Sequence, residues 1–471
     1  MKICLINPPF SAADSVGASA SIEAVLNKVL PLGIAYIAAV LGKHNYNVKV
    51  IDCTINVSHS ELIKLVKKES PDVVGITATT PIFESAKRVA EDIKKIFPAT
   101  VIVIGGCHVT ALPEKVISFG YFDVGVIGEG DITFLEIVRQ IESRGLKNLD
   151  SVQGIVFKNN GKIIVTPPRQ RIENLDEIPF PARYLFPPLK EYSPTPASYL
   201  KLPVGVLMTS RGCPFQCTFC DRAIFGNVTR QRSVKNVADE IEELINVHGA
   251  RELRFFDDTF TLKKKFVYEL CDELKARKVR IPWSCLTAVA AVTKDLLKKM
   301  KDAGCWQVLY GLESGDARML KLLKKGNTVE QNERAVKWAH ELGLSVRADF
   351  IVGTPGETME SLERSLDFAK RLPLDYAHFN KFTPFPGTEI YKNLVEKGNK
   401  FDFSKPCSIL DHSALLYVPE TLDKEEYRKF LDRAFKEFYL RPSYILRRLT
   451  QIKSFDQFKG QVKGFYAIMG L

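Results

Sequence analysis

Long apolar runs are what this chain most plainly lacks. None of its 471 residues falls in a stretch approaching the roughly 20 uninterrupted apolar positions that a membrane-spanning helix needs. The opening MKICLINPPF has no basic segment leading into a long apolar one, so no signal peptide is expected and the expected location is the cytoplasm. Disulfide spacing is missing as well. In a chain this long without an export signal, the ten cysteines do not read as a disulfide framework. Cys4, Cys53, Cys271, Cys285 and Cys305 sit singly in apolar surroundings and read as small core residues. Cys107 and Cys407 are isolated in loop-like contexts. There is no low-complexity segment, no repeat beyond a strand–helix rhythm, and no nucleic-acid motif, so a nucleic-acid partner is not expected.

What is present is the composition of a soluble globular protein, 45% hydrophobic and 26% charged, at a length that allows about two to four domains. The net charge is +11, and part of the excess lies late, in YLRPSYILRRLTQIK (Tyr439 to Lys453). Such a segment is either a packing helix with a solvated basic face or a peripheral contact to a membrane surface, which would suit a lipid or anionic substrate.

Residues 1–145 alternate short apolar runs with amphipathic stretches. KICLINPP, VKVIDCT, PDVVGITA, VIVIGG and VGVIGEG read as strands, and LGIAYIAAVLGK, SHSELIKLVKKES and PIFESAKRVAEDIKKIFP read as helices. Ser58 is an expected N-cap, and Pro71 an expected stop. The pattern predicts an α/β fold with a doubly wound parallel sheet, whose ligands bind beyond the carboxyl ends of the strands. Residues 146–200 hold an expected hairpin turning at Asn160-Gly161, followed by a proline-rich linker. Residues 201–395 return to about six strand–helix units, which predict a partial parallel (β/α)6 barrel. Residues 396–471 form an expected helical, basic tail.

The segment TSRGCPFQCTFCDR places Cys213, Cys217 and Cys220 within eight residues, directly after the first barrel strand. Three thiolates on a tight loop suit three corners of an iron–sulfur cubane and leave one iron open. Tetrahedral zinc is the rival, but zinc usually recruits a fourth Cys or His at close spacing, and none is adjacent.

This spacing, with the motifs that follow it, resembles the radical S-adenosylmethionine (SAM) core. The resemblance implies a [4Fe–4S] cluster on Cys213, Cys217 and Cys220, with SAM chelated at the open iron and cleaved to a 5′-deoxyadenosyl radical. It implies SAM contacts at Phe219, at Asp257 and Asp258 of FFDDTF, at Glu313 and Ser314 of GLESGD, at Arg347 of SVRADFIVG, and at Gly353 of GTPGET. A helix cap is the alternative for the two aspartates, and a rim ion pair for Arg347. FTPFPGTEIY resembles the sixth-strand end of the same core.

Residues 1–140 resemble, more softly, the cobalamin-binding domain that precedes many such cores. The resemblance implies cobalamin contacts at Thr77, Thr79, Gly105, Gly106, His108, Glu129 and Gly130, with an unliganded turn histidine as the alternative for His108. The Asp-x-His-x-x-Gly motif of many cobalamin proteins is absent, so no axial histidine is expected from PPFSAADSVGASA. The resemblance implies a methylase of an unactivated carbon. The alternatives are a radical cyclase, oxidase or lipid-modifying enzyme without methyl transfer, or a non-catalytic corrinoid binder. The expected partners are a small-molecule or lipid substrate and an electron donor such as flavodoxin or ferredoxin. If both cofactors serve one reaction, the two sheet rims should face each other.

Overall fold

The computed structural model describes residues 1–10, 27–195, 198–404, 407, 409, 414–451 and 462. Seven strands form the first sheet: β1 (Lys2–Asn7), β2 (Asn47–Asp52), β3 (Val73–Thr77), β4 (Val101–Gly105), β5 (Val124–Val126), β6 (Ile155–Asn159) and β7 (Lys162–Val165). Their order is β2-β1-β3-β4-β5-β6-β7. The first five strands are parallel, and β6 and β7 are antiparallel additions. β1 shows why both faces are covered. Ile3 and Leu5 enter one core cluster while Cys4 and Ile6 enter the other, as the two-residue period of a strand requires. The helix Leu32–Lys43 packs on the first side; His59–Glu69 and Phe83–Ile96 pack on the second. The sheet is therefore doubly wound, as expected. Ser58 caps its helix by accepting from the Glu61 amide at 3.3 Å.

The hairpin differs from expectation in its allegiance. Asn160 and Gly161 both have positive φ, 47° and 81°, which the tight turn demands. The hairpin itself, however, extends the first sheet through β5–β6 pairing instead of belonging to the linker, because β5 presents a free edge to it.

The second sheet contains β8 (Val204–Leu207), β11 (Glu252–Phe255), β12 (Trp283–Thr287), β13 (Cys305–Glu313), β14 (Ser345–Val352) and β15 (Tyr376–Lys381). All are parallel and follow chain order, giving the expected six-unit partial barrel. A two-strand ladder, β9 (Ser210–Arg211) with β10 (Arg230–Gln231), pinches together the ends of the loop that carries the three cysteines.

The proline-rich linker is not a loose tether. Arg183 is buried and pairs with Glu240, and Tyr192 donates to Asp52 at 2.6 Å. Glu252 accepts from the amides of Leu200 and Lys201 at 2.7 and 2.8 Å. One apolar cluster consequently runs from the first sheet through Phe186 and Leu189 into the barrel.

The tail folds back. In the helix Lys424–Tyr439, Tyr427 donates to the Val352 carbonyl at 2.8 Å, and the Tyr439 hydroxyl brackets the Ala377 backbone at 3.1 and 2.9 Å. In the helix Pro442–Gln451, Arg448 reaches Asp375 at 3.2 Å and the Tyr376 hydroxyl at 2.6 Å, and Arg447 reaches the Leu374 carbonyl. These arginines pack the tail onto the barrel's last strand. Of the tail, residues 405–406, 408, 410–413, 452–461 and 463–471 lie outside the described residues. No described helix is long and apolar enough to cross a membrane.

Candidate active site between the two rims

The strand ends of the two sheets face one cavity of about 960 Å³. Phe10, Thr79, Thr80, Pro81 and Cys107 line it from the first sheet. The barrel contributes Cys213, Cys217, Phe219, Cys220, Asp257, Asp258, Glu313 and Lys325, among others.

Backbone geometry shapes the cysteine loop. Gly212 has φ +92°, and a Cβ there would lie 2.4 Å from the Val228 carbonyl oxygen, so only glycine lets the loop leave β9. The Thr218 amide donates to the Leu323 carbonyl at 3.0 Å, and the Ile390 amide donates to the Thr218 carbonyl at 3.0 Å. All ten cysteines are free thiols, and a hydrogen bond from Cys220 pulls the Cys217 thiol down to about 7. Among the described residues, no three His, Cys, Asp or Glu side chains converge at single-ion spacing. Three soft thiol donors on one loop that lines the cavity suit an iron–sulfur cluster.

The acidic groups divide their work. Asp257 is buried and holds the first strand end, accepting from the Thr209 amide at 3.1 Å, the Thr209 hydroxyl at 2.7 Å and the Ser210 hydroxyl at 2.5 Å. Burial raises its pKa despite these donors, and burial likewise raises Asp258. Glu313 takes a left-handed backbone, φ +63°, at a register shift in β13, an unusual conformation for a non-glycine residue and one that collects at functional sites. Its carboxylate accepts from Lys325 at 2.7 Å, and burial raises its pKa. Lys325 also lies 5.8 Å from the Phe219 ring centroid. Lys325 is a site residue that sequence reading missed, since KLLKKGN carries no motif.

Three other expected SAM residues stand back from the cavity. Ser314 is buried against the Ser365 hydroxyl at 2.9 Å. Gly353, φ +83°, leaves room for Tyr427, whose hydroxyl would meet a Cβ at 2.1 Å. Arg347 turns to Asp349 at 3.2 Å, the ion pair weighed as its alternative.

On the first sheet's rim, Thr79 is exposed to the cavity, while Thr77 ends β3 behind it. Gly106 draws its loop tight, since a Cβ there would lie 2.5 Å from the Ala78 carbonyl oxygen, and Gly105 precedes it at the end of β4. His108 faces inward. It stacks on Phe83 with centroids 4.1 Å apart and bonds the Thr80 hydroxyl at 3.1 Å, and burial pushes it down to about 4. It is a neutral, packed imidazole. Glu129 and Gly130 have structural tasks. Gly130 lets the Ile37 side chain approach to 3.0 Å of its Cβ position. Glu129 accepts from Arg230 at 2.8 and 3.0 Å and from Arg211 at 3.0 Å, while Asp131 accepts from Arg211 at 2.8 and 3.0 Å. This buried network ties the first sheet to the ladder that pinches the cysteine loop. Sequence reading missed it, because its partners lie about 80 to 100 residues apart.

Thr79, Thr80 and Cys107 offer small polar groups on the rim's face of the cavity, which fit the polar edge of a macrocycle, and residues 11–20 of PPFSAADSVGASA lie outside the described residues. Residues 207–369 match the radical SAM superfamily, and residues 19–138 match the B12 binding domain. An uncharacterized methyltransferase of Pyrococcus horikoshii is 37% identical over 97% of this chain and 96% of its own length. The anaerobic magnesium-protoporphyrin IX monomethyl ester cyclase of Rubrivivax gelatinosus is 29% identical over 90% of this chain and 76% of its own. In fold, the chain is similar to the cobalamin-dependent SAM radical enzyme OxsB, with a TM-score of 0.73 at 18% identity, covering 98% of this chain and 70% of that one.

Proposed function

This chain belongs to the radical SAM superfamily, among the enzymes that carry a B12-binding domain before the radical core, and from that premise we propose that it methylates an unactivated position of a small molecule. The observation that carries this reading is the shared cavity, in which the cysteine loop and the first sheet's rim line one space. When bound, the cluster supplies the electron that cleaves SAM, and cobalamin supplies a methyl carrier.

Cys213, Cys217 and Cys220 would hold the cluster. Phe219, Asp258 and the Glu313–Lys325 pair would hold SAM: an aromatic face for the adenine, and charged groups for its polar ones. Asp257 keeps Thr209 and Ser210 in place behind them. Thr79, Thr80 and Cys107 would meet cobalamin. A small electron-transfer protein of flavodoxin or ferredoxin type is the proposed reductant. The cyclase relative favours a second reading, a radical ring closure in the same cavity without methyl transfer.

The test is anaerobic reconstitution with iron, sulfide and hydroxocobalamin, with removal of unbound cofactor. The expected result is iron–sulfur absorbance, retained cobalamin, and 5′-deoxyadenosine on reduction with SAM. Cys217→Ala should abolish cleavage and leave cobalamin retention intact. Cleavage without retained cobalamin would leave only the second reading, and no cluster would overturn both.

A further inference from the structure

A parallel barrel usually fills its lumen with branched apolar side chains. This one does not. Along β11, Leu253 and Phe255 enter the apolar core, so Arg254 points to the opposite, lumenal face. The same alternation puts Ser284 of β12, Arg347 and Asp349 of β14, and His378 of β15 in the lumen, because Trp283, Cys285, Val346, Ala348, Ala377 and Phe379 are core. Phe256 and Asp349 line the cavity described above, and Arg254, Ser284, Arg347 and His378 lie in the layer behind that part of its wall.

The layer is not electrically closed. Asp349 is taken by Arg347 at 3.2 Å and by His378 at 3.3 Å. Arg254, only 3% exposed, has no hydrogen bond or ion pair among the described residues, and its Nε and Nη1 are both orphaned. Its recorded contact is the Phe256 ring, 5.1 Å from the guanidinium carbon. Ser284, in register beside it on β12, has an orphaned buried hydroxyl too. Burial pushes His378 down to about 3, so it is neutral. Glu252, lower on the same strand, accepts from two amides and from the Trp306 indole at 2.8 Å, and burial pushes it up to about 7. Two guanidinium groups thus share Asp349 and Glu252, and neither carboxylate hydrogen-bonds Arg254. Burying an uncompensated charge is expensive, whereas a guanidinium fork fits a carboxylate well.

We infer that the barrel floor is a subsite for a carboxylate on the substrate, received by the Arg254 guanidinium and the Ser284 hydroxyl, with the substrate's apolar body lying above on Phe256, Leu286 and Leu309. The inference rests on the cavity being the reaction chamber, and it names the substrate class: an apolar molecule bearing a carboxylate. Recognition at the floor would aim the far end of that molecule up towards the cysteine loop.

The probes are 4-iodobenzoate and its neutral counterpart 4-iodobenzamide, titrated into the enzyme reconstituted with cluster, cobalamin and SAM. The iodobenzoate should bind the wild type at least tenfold more tightly. Arg254→Met should erase the difference, Arg254→Lys should retain part of it, and soaked crystals should show iodine density above Phe256. Equal binding of both probes to the wild type overturns the inference. So does discrimination that survives Arg254→Met. A tenfold loss of SAM affinity in Arg254→Met would mean that the guanidinium serves the SAM carboxylate, which also overturns it. A wild type that cleaves SAM yet fails to discriminate loses only this inference, whereas one without a cluster loses the proposed function.

Discussion

Glu129→Ala tests how the two halves are joined. Glu129 accepts four hydrogen bonds: two from Arg230, one from Arg211, and one from the Ile172 amide at 3.3 Å. In the variant, Arg211 keeps both contacts to Asp131, but Arg230 keeps only the carbonyls of Ile172 and Phe225, at 2.8 and 3.1 Å. Arg230 then becomes a buried cation without a carboxylate, a loss that costs about 3–5 kcal/mol. Glu129→Gln keeps the shape and one acceptor, and should cost about 1–3 kcal/mol. If each kcal/mol moves the midpoint by about 2–4 °C for an unfolding unit of this size, the alanine variant should melt roughly 6–20 °C lower. The assay is anaerobic scanning calorimetry of the cofactor-free chain. The loss should appear in the transition that separates the first sheet from the barrel. A double-mutant cycle with Arg230→Met isolates the pair, and its coupling should be about 2 kcal/mol or more. A shift below 2 °C for Glu129→Ala, or zero coupling, would refute the reasoning.

Three further outcomes are expected. Gly212→Ala drives a Cβ into the Val228 carbonyl, so bound iron after reconstitution should drop to a small fraction of wild type, measured by iron and sulfide assay. Lys325→Met leaves Glu313 without its cation, and should weaken SAM binding at least tenfold while iron content stays at the wild-type level. His108 has a folded-state pKa near 4, below its unfolded value of about 6.5, so the unfolded chain binds the extra proton between those values and stability falls as pH drops through that window. Comparing denaturant midpoints at pH 7.5 and 4.5 should show a smaller drop for His108→Gln than for wild type, and an equal drop would rule out a buried neutral His108.

Local pattern carried the strand–helix order, the helix start at Ser58 and the turn at Asn160-Gly161, because period, caps and positive-φ residues act over a few neighbours. The cysteine loop was legible for the same reason, since three cysteines within eight residues need no tertiary information. Individual ligand roles were less legible. Thr79, Phe219, Asp258 and Glu313 reach the cavity, but Arg347, Ser314 and Gly353 lie at matching chain positions with side chains or space committed elsewhere. On the rim, Glu129 read as a ligand residue in a glycine-rich loop, yet its carboxylate closes a clamp onto residues 82 and 101 positions away.

The sequence by itself determined the two α/β units, their order and the three-cysteine loop, since these follow from periodicity and short spacing. Only the tertiary structure decided that the two rims share one cavity, that the linker is a fixed strap, and that the buried Arg254 guanidinium has no hydrogen-bonded carboxylate. Those facts depend on which charges are buried together. Burial is set by packing between segments far apart in the chain, and no local pattern encodes it.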